Sequence, residues 1–369
     1  QINESQILNK PTDISTIEDI FSSINFKPVN ATDLTIPISD SQTYSQDTAF
    51  IVKTSKGVGI GVDQDYSDDQ LTELKAIDIS VDGSFTMVGS NGSYNGYKNA
   101  LISASKDRMS KISLSADNLY LQSKAYVVAN GESDNEISLR AKKDIYIESL
   151  ETGQNSTIYA SGLISILSEN GNIGINSQLS GSALYVPVKG GEIKINAGDS
   201  LWVKVRNTGS RNAGIQIEDS GKANLTAKSN IILTTLDTNK ALIRATAGAS
   251  VSVTSGNLVD IVGDVYAGSN SNINISSSKV FLESNKYCAL DSESGSSIVV
   301  NGTEATLING EVYSYLGAIS INENTNSSTF ITGPLYLENA KININSNGNQ
   351  ASQVILIGDA TVKNYRDDE

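Results

Sequence analysis

An elongated all-β solenoid, fronted by a short helical collar, is the fold this sequence predicts, and three observations predict it. Short segments of period-two alternation recur along most of the chain, as in KISLS (Lys111 to Ser115), DIYIES (Asp144 to Ser149) and EIKIN (Glu192 to Asn196). Each places two aliphatic side chains on one side and polar ones on the other, the pattern of a half-buried strand. Gly, Asn, Asp and Ser separate them, including Asn91-Gly92, Asn130-Gly131, Asn170-Gly171, Asn301-Gly302 and Asn309-Gly310, residues that tolerate the positive φ of tight turns. Leu119, Ile145 and Ile173 begin similar strands 26 and 28 residues apart. A unit with only two inward aliphatics cannot bury its own face and must stack on its neighbours. Three such units per coil make a triangular solenoid.

The same strand density occurs in β-sandwiches, the alternative architecture. Sandwiches carry aromatic cores and prolines in their loops. This chain has one Trp and six Phe, and two of its five prolines lie beyond residue 56.

The N-terminal stretch reads differently. Its first 56 residues contain no glycine but hold Pro11, Pro28 and Pro37. Ile14, Ile17, Phe21 and Ile24 recur at helical spacing, and Ser15 with Glu18 has the spacing of a capping box. A short helix over about residues 13–25 is expected here. Isolated helices under about 12–15 residues barely persist in water, so it needs a partner surface. The expected organisation is an attachment segment over 1–47 and a repetitive rod over 48–369. Open solenoid ends invite strand addition; the helical segment is expected to cover the front, and the charged run Tyr365, Arg366, Asp367, Asp368 and Glu369 the back.

Composition excludes several chemistries. Histidine is absent and cysteine occurs once, so there is no His-ligated metal, no His-assisted nucleophile and no intrachain disulfide. The 27 basic against 41 acidic residues leave a net charge of −14, which argues against nucleic acid as a partner. No apolar run reaches the roughly 18 residues that a membrane-spanning helix requires, and no signal peptide is visible at the N-terminus.

Candidate sites are few. Asp63, Asp65, Asp68 and Asp69 form an acidic cluster, but read as a calcium loop it has Asp68 where Gly belongs and Leu74 where Glu belongs. A solvated loop is expected instead. Glu136, Asp144, Glu148, Glu151 and Glu169 fall in consecutive units and so could supply the paired carboxylates of a glycosidase, although nothing selects two of them. Tyr94 and Tyr97, with Asn91 and Asn95 in the polar turn SNGSYNGYKN, form a candidate glycan-contacting surface, since rings stack on sugars while amides bond hydroxyls. Trp202, in LWVKV, falls on the outward side of its strand, where it marks either a subunit seam or packing at a corner. Cys288, in KYCALDS, reads as a small buried residue.

The runs AKSNIILTT (Ala227 to Thr235), GGEIKINAGDSLWVKV (Gly190 to Val205), AGASVSVTSGNL (Ala247 to Leu258) and KANLTAKSN (Lys222 to Asn230) resemble the β-helical parts of bacteriophage tail spikes, fibres and baseplate proteins. The likeness is one of style and covers roughly residues 75–363. It implies a homotrimer, with chains intertwined or side by side, acting in particle assembly and host attachment within a virion. The N-terminal segment would dock onto other virion proteins. Similar runs occur in bacterial filamentous adhesins, which implies a cell-surface or secreted glycan binder as the alternative; a polysaccharide-cleaving tail spike is a second. The His-rich metal-binding tip of phage needles cannot be present. No catalytic residue and no cofactor are assigned.

Overall fold

A computed structural model describes residues 30–62, 75–105, 109–131, 135–151, 153–178, 181–206, 213–235, 241–323, 326–345 and 353–363. These residues are all-β, and nearly every pairing between their strands is parallel. Three columns of strands run along one axis, each strand pairing with its counterpart one coil away.

The first face includes Lys75–Val81, Met109–Ala116, Glu136–Ala141, Leu163–Ser168, Glu192–Ala197, Lys222–Ala227 and Ser250–Ser255. The second includes Ser84–Gly89, Asn118–Gln122, Ile145–Ser149, Ile173–Ser177, Leu201–Val205, Asn230–Thr235 and Leu258–Val262. The third holds shorter strands, among them Ile102–Ser105, Val127–Asn130, Ile158–Ala160, Leu184–Val186, Ile215–Ile217, Ala241–Ala245 and Asp264–Ala267. Asn272–Glu293 traverses all three faces as one bent strand, pairing with the first, second and third columns in turn.

Register explains why the chain stacks. Ile77, Ile112, Ile137, Ile164 and Ile193 lie one above another on the first face, with Ile79, Leu114, Leu139, Ile166 and Ile195 beside them. All ten are at most 4% exposed. Burying a side chain of this size contributes about 1.5–3 kcal/mol, and each does so only because the coils above and below cover it. Leu119, Ile145 and Ile173 pair directly, so the spacing read from the sequence is the coil itself.

Corners between the first and second faces are fixed by a relay of short polar side chains. The Ser84 amide donates to Asp47 Oδ1 at 2.8 Å, the Asp144 amide to Asn118 Oδ1 at 3.1 Å, the Asn172 amide to Asp144 Oδ1 at 2.8 Å and the Ser200 amide to Asn172 Oδ1 at 3.0 Å. Each side chain satisfies a backbone N–H of the next coil, a donor that the ladder itself leaves unpaired at the corner.

Several expectations are corrected. The ladder begins before residue 48: Thr32–Leu34 pairs with Thr48–Val52, and Gln42–Tyr44 with Lys75–Val81. Strands of three residues carry too little alternation to show in the sequence. Asn301-Gly302 and Asn309-Gly310 lie inside the long strand Ser297–Tyr315 rather than in turns between strands, because a solenoid bends where a hairpin would reverse. The helix expected over 13–25 and the charged run at 365–369 lie outside the described residues. In the last described coil Val354, Leu356, Ile357 and Val362 are 42–63% exposed.

Candidate functional site

The five consecutive acidic residues are each engaged structurally. Glu136 pairs with Lys111 at 3.5 Å, Glu151 with Lys124 at 2.6 Å and Glu169 with Arg140 at 2.7 Å. Glu148 accepts the Tyr146 hydroxyl at 2.9 Å, and Asp144 serves the corner relay. A shallow cleft on the first face, lined by Tyr44, Asp82, Arg140, Lys142 and Glu169, is closed in the same way. There Lys142 pairs with Asp117 at 2.9 Å and Arg140 with Glu169. The cluster Asp63, Asp65, Asp68 and Asp69 lies outside the described residues, and among the described residues no group of three or more acidic or cysteine side chains is arranged to hold a metal.

The tyrosine turn has a definite structure. Ser93–Tyr94 and Tyr97–Lys98 form an antiparallel hairpin, closed by Asn95 at φ 45° and Gly96 at φ 81°. Positive φ at both central residues is what a two-residue turn of this hand demands, and Asn-Gly supplies it. The hairpin is an excursion from the corner between the second and third faces, held by the Asn155 side-chain amide donating to the Gly96 carbonyl.

The candidate residues part company here. Asn91 and Asn95 are exposed. Tyr94 is only 3% exposed, packed with Val58, Ala100, Tyr126 and Val128, so its ring has no face left for a ligand. Its place in a polar run concealed that the hairpin folds back on the rod. Tyr97 is half-buried and sits edge-on to Tyr126 at 5.5 Å and to Tyr159 at 6.0 Å.

Tyr97 therefore heads a row that the sequence did not reveal. Tyr159 and Tyr185 occupy the same outward register position on successive coils of the third face, with ring centroids 5.6 Å apart at 72°. Both are half-exposed. The Tyr185 hydroxyl donates to Glu218 at 3.1 Å, and Glu218 also accepts the Gln216 amide, whose oxygen is held by the Ala213 N–H at 2.9 Å. Burial raises the pKa of Tyr97, Tyr159 and Tyr185, and the Glu218 carboxylate raises Tyr185 further. Beneath the hairpin, Tyr126 is pushed up to about 12, by burial first and then by Glu151. The tyrosines of the row are thus uncharged near neutral pH, and rings, hydroxyls, an amide and a carboxylate lie along one strip of the rod. Only the coil length, added to a known tyrosine, would have joined residues this far apart in sequence.

Trp202 faces outward as expected, opposite Gly174 and Ile232. It is already 5% exposed within the single chain, with the Lys204 ammonium 5.8 Å from the ring centroid. It offers little surface to a second subunit. Cys288 is half-buried rather than fully enclosed. No family model, curated protein or solved structure matches the chain.

Proposed function

We propose that the chain is a structural rod of a phage particle, a tail spike, fibre or baseplate-associated component, assembled as a homotrimer and acting in particle assembly and host attachment. The observation that supports a mechanical role is the continuity of the three ladders from Thr32 to Lys363 around one aliphatic core. Backbone hydrogen bonds run along the rod axis, so bending the rod strains many of them together. The engagement of Glu136, Asp144, Glu148, Glu151 and Glu169 with structural partners favours this reading over polysaccharide cleavage. The phage assignment and the trimer rest on the resemblance of the repeats. Mass by light scattering, combined with small-angle scattering, tests both: an elongated trimer is expected, and a compact monomer would overturn the reading.

Attachment to host-surface glycan is the adhesive part of the proposal, and Tyr97, Tyr159 and Tyr185 with Gln216 and Glu218 are the surface that supports it. Tyr159→Ala removes the middle ring without touching the inward Ile158 and Ala160. Where the full chain shows binding on a glycan array, this variant is expected to lose about two- to tenfold in affinity, taking the ring–sugar contact at about 0.5–1.5 kcal/mol, the order of an aromatic pair. Loss of the edge-on contacts to Tyr97 and Tyr185 should lower its melting temperature by a few degrees, and the variant should still fold. Undiminished binding would remove the row from the attachment surface.

A further inference from the structure

Nearer the C-terminal end the outward column that holds Tyr159, Tyr185 and Gln216 continues along the third face. Arg244, Tyr266, Asp291, Tyr313 and Tyr336 occupy one outward register position on successive coils. The Arg244 guanidinium lies 5.2 Å from the centre of the Tyr266 ring, Tyr313 and Tyr336 stack at 4.9 Å with 7° between planes, and the Lys363 ammonium is 5.5 Å from the centre of the Tyr336 ring. Both cations of the stack therefore sit at its ends, and a carboxyl group occupies a rung between two tyrosines.

More carboxyls surround that rung. Glu293 lies two residues along the same strand and accepts the Tyr266 hydroxyl at 3.3 Å. Asp264, on the strand above, is 6% exposed and accepts the Ser284 hydroxyl at 2.7 Å. Glu311, Tyr313 and Tyr315 face it from the coil below, and Cys288 precedes it on its own strand. Asp291 Oδ1 is enclosed and has no hydrogen-bond partner.

We infer that the cluster of Asp264, Asp291, Glu293 and Glu311 is a pH-sensing joint in the rod, closed while Asp291 carries a proton shared with Glu293 and loosened when that proton leaves. Carboxylates brought together in a partly buried site repel unless one of them stays neutral. Burial, then Glu293, Glu311 and Asp264, hold the Asp291 carboxyl up to about 8, against an ordinary value of 3.8. The same surroundings raise the Cys288 thiol, burial first. The sign follows. Between pH 3.8 and about 8 the folded chain retains a proton that the unfolded chain has released. Stability therefore falls as pH rises through that window and levels off above it. The joint is tightest in acid.

The test uses the full chain and its Asp291→Asn variant, melted from pH 5 to pH 9. The variant is expected to melt several degrees above the parent at pH 8, and the gap should shrink toward pH 5. A gap that does not change with pH would overturn the inference. Infrared difference spectra give an independent readout: a protonated-carboxyl band should disappear between pH 7 and pH 9 in the parent and be missing from the variant. If Asp291→Asn fails to fold, Glu293→Gln serves instead. Removing the neighbouring charge should move that infrared transition to lower pH, and an unmoved transition would overturn the assignment.

Discussion

Replacing Asn322 by alanine is expected to destabilise the C-terminal coils by about 3–6 kcal/mol, the combined order of two or three buried partners left unpaired and one residue forced into the left-handed region. Asn322 is fully buried at a corner between the first and second faces, with φ 52°. Its Oδ1 accepts the Gly302 amide at 2.7 Å and the Thr306 hydroxyl at 3.0 Å, while its Nδ2 donates to Thr329 Oγ1 at 2.6 Å. The Thr329 hydroxyl donates in turn to Asn345 Oδ1 at 2.7 Å, and Asn345 Nδ2 to the Ser327 carbonyl at 2.9 Å. One amide thus links three successive coils. Alanine strands the Gly302 N–H and the Thr306 hydroxyl away from water and leaves the Thr329 hydroxyl only its bond to Asn345, and it also pays for positive φ, which asparagine tolerates better. Asn322→Gly separates the two costs: it loses the same bonds without the backbone strain, and is expected to be less damaging than alanine. Urea unfolding measures the total. Hydrogen exchange should place the loss in Ser297–Tyr315, Ala318–Ile321 and Ser328–Ile331. A variant that unfolds within 1 kcal/mol of the parent, near the net value of a single hydrogen bond, would show that water replaces the amide and that the corner is wet.

The sequence made some parts of this fold legible and hid others, for one physical reason. Period-two alternation reports burial within a strand, so the six-residue strands of the first face were readable. So was the coil length, because Leu119, Ile145 and Ile173 repeat both pattern and spacing. Three-residue strands such as Ile158–Ala160 and Leu184–Val186 show only two inward residues around one outward, a pattern that any loop can match by chance. Contacts along the axis join residues a full coil apart, and local pattern carries no trace of them. The Tyr159–Tyr185 pairing, the Asn322 relay and the Asp291 stack are all of this kind. Tyr94 misled for the opposite reason: its polar neighbours are exposed, but the Asn95-Gly96 turn folds its ring back onto the rod.

Stacking along one axis also predicts how unevenly the rod should respond to damage. Leu225 is fully buried in the middle coils, in register between Ile195 and Val253. Leu225→Ala deletes a side chain whose neighbours above and below are themselves locked in ladders and cannot collapse into the gap, so the expected cost is at the usual core value of about 2–5 kcal/mol. Leu356 points the same way on the second face, but it lies in the last described coil and is 47% exposed. Leu356→Ala is expected to cost about 1 kcal/mol or less, because half of its surface already meets water. In a linear array each coil touches only its neighbours. The central lesion should therefore also weaken communication between the two halves, so that Leu225→Ala unfolds in two resolved steps where the parent unfolds over one broad transition. Calorimetry of both variants checks this. Equal losses at the two positions would mean that the end coil is covered in solution, and a single sharp transition in Leu225→Ala would mean that coils are coupled well beyond their immediate neighbours.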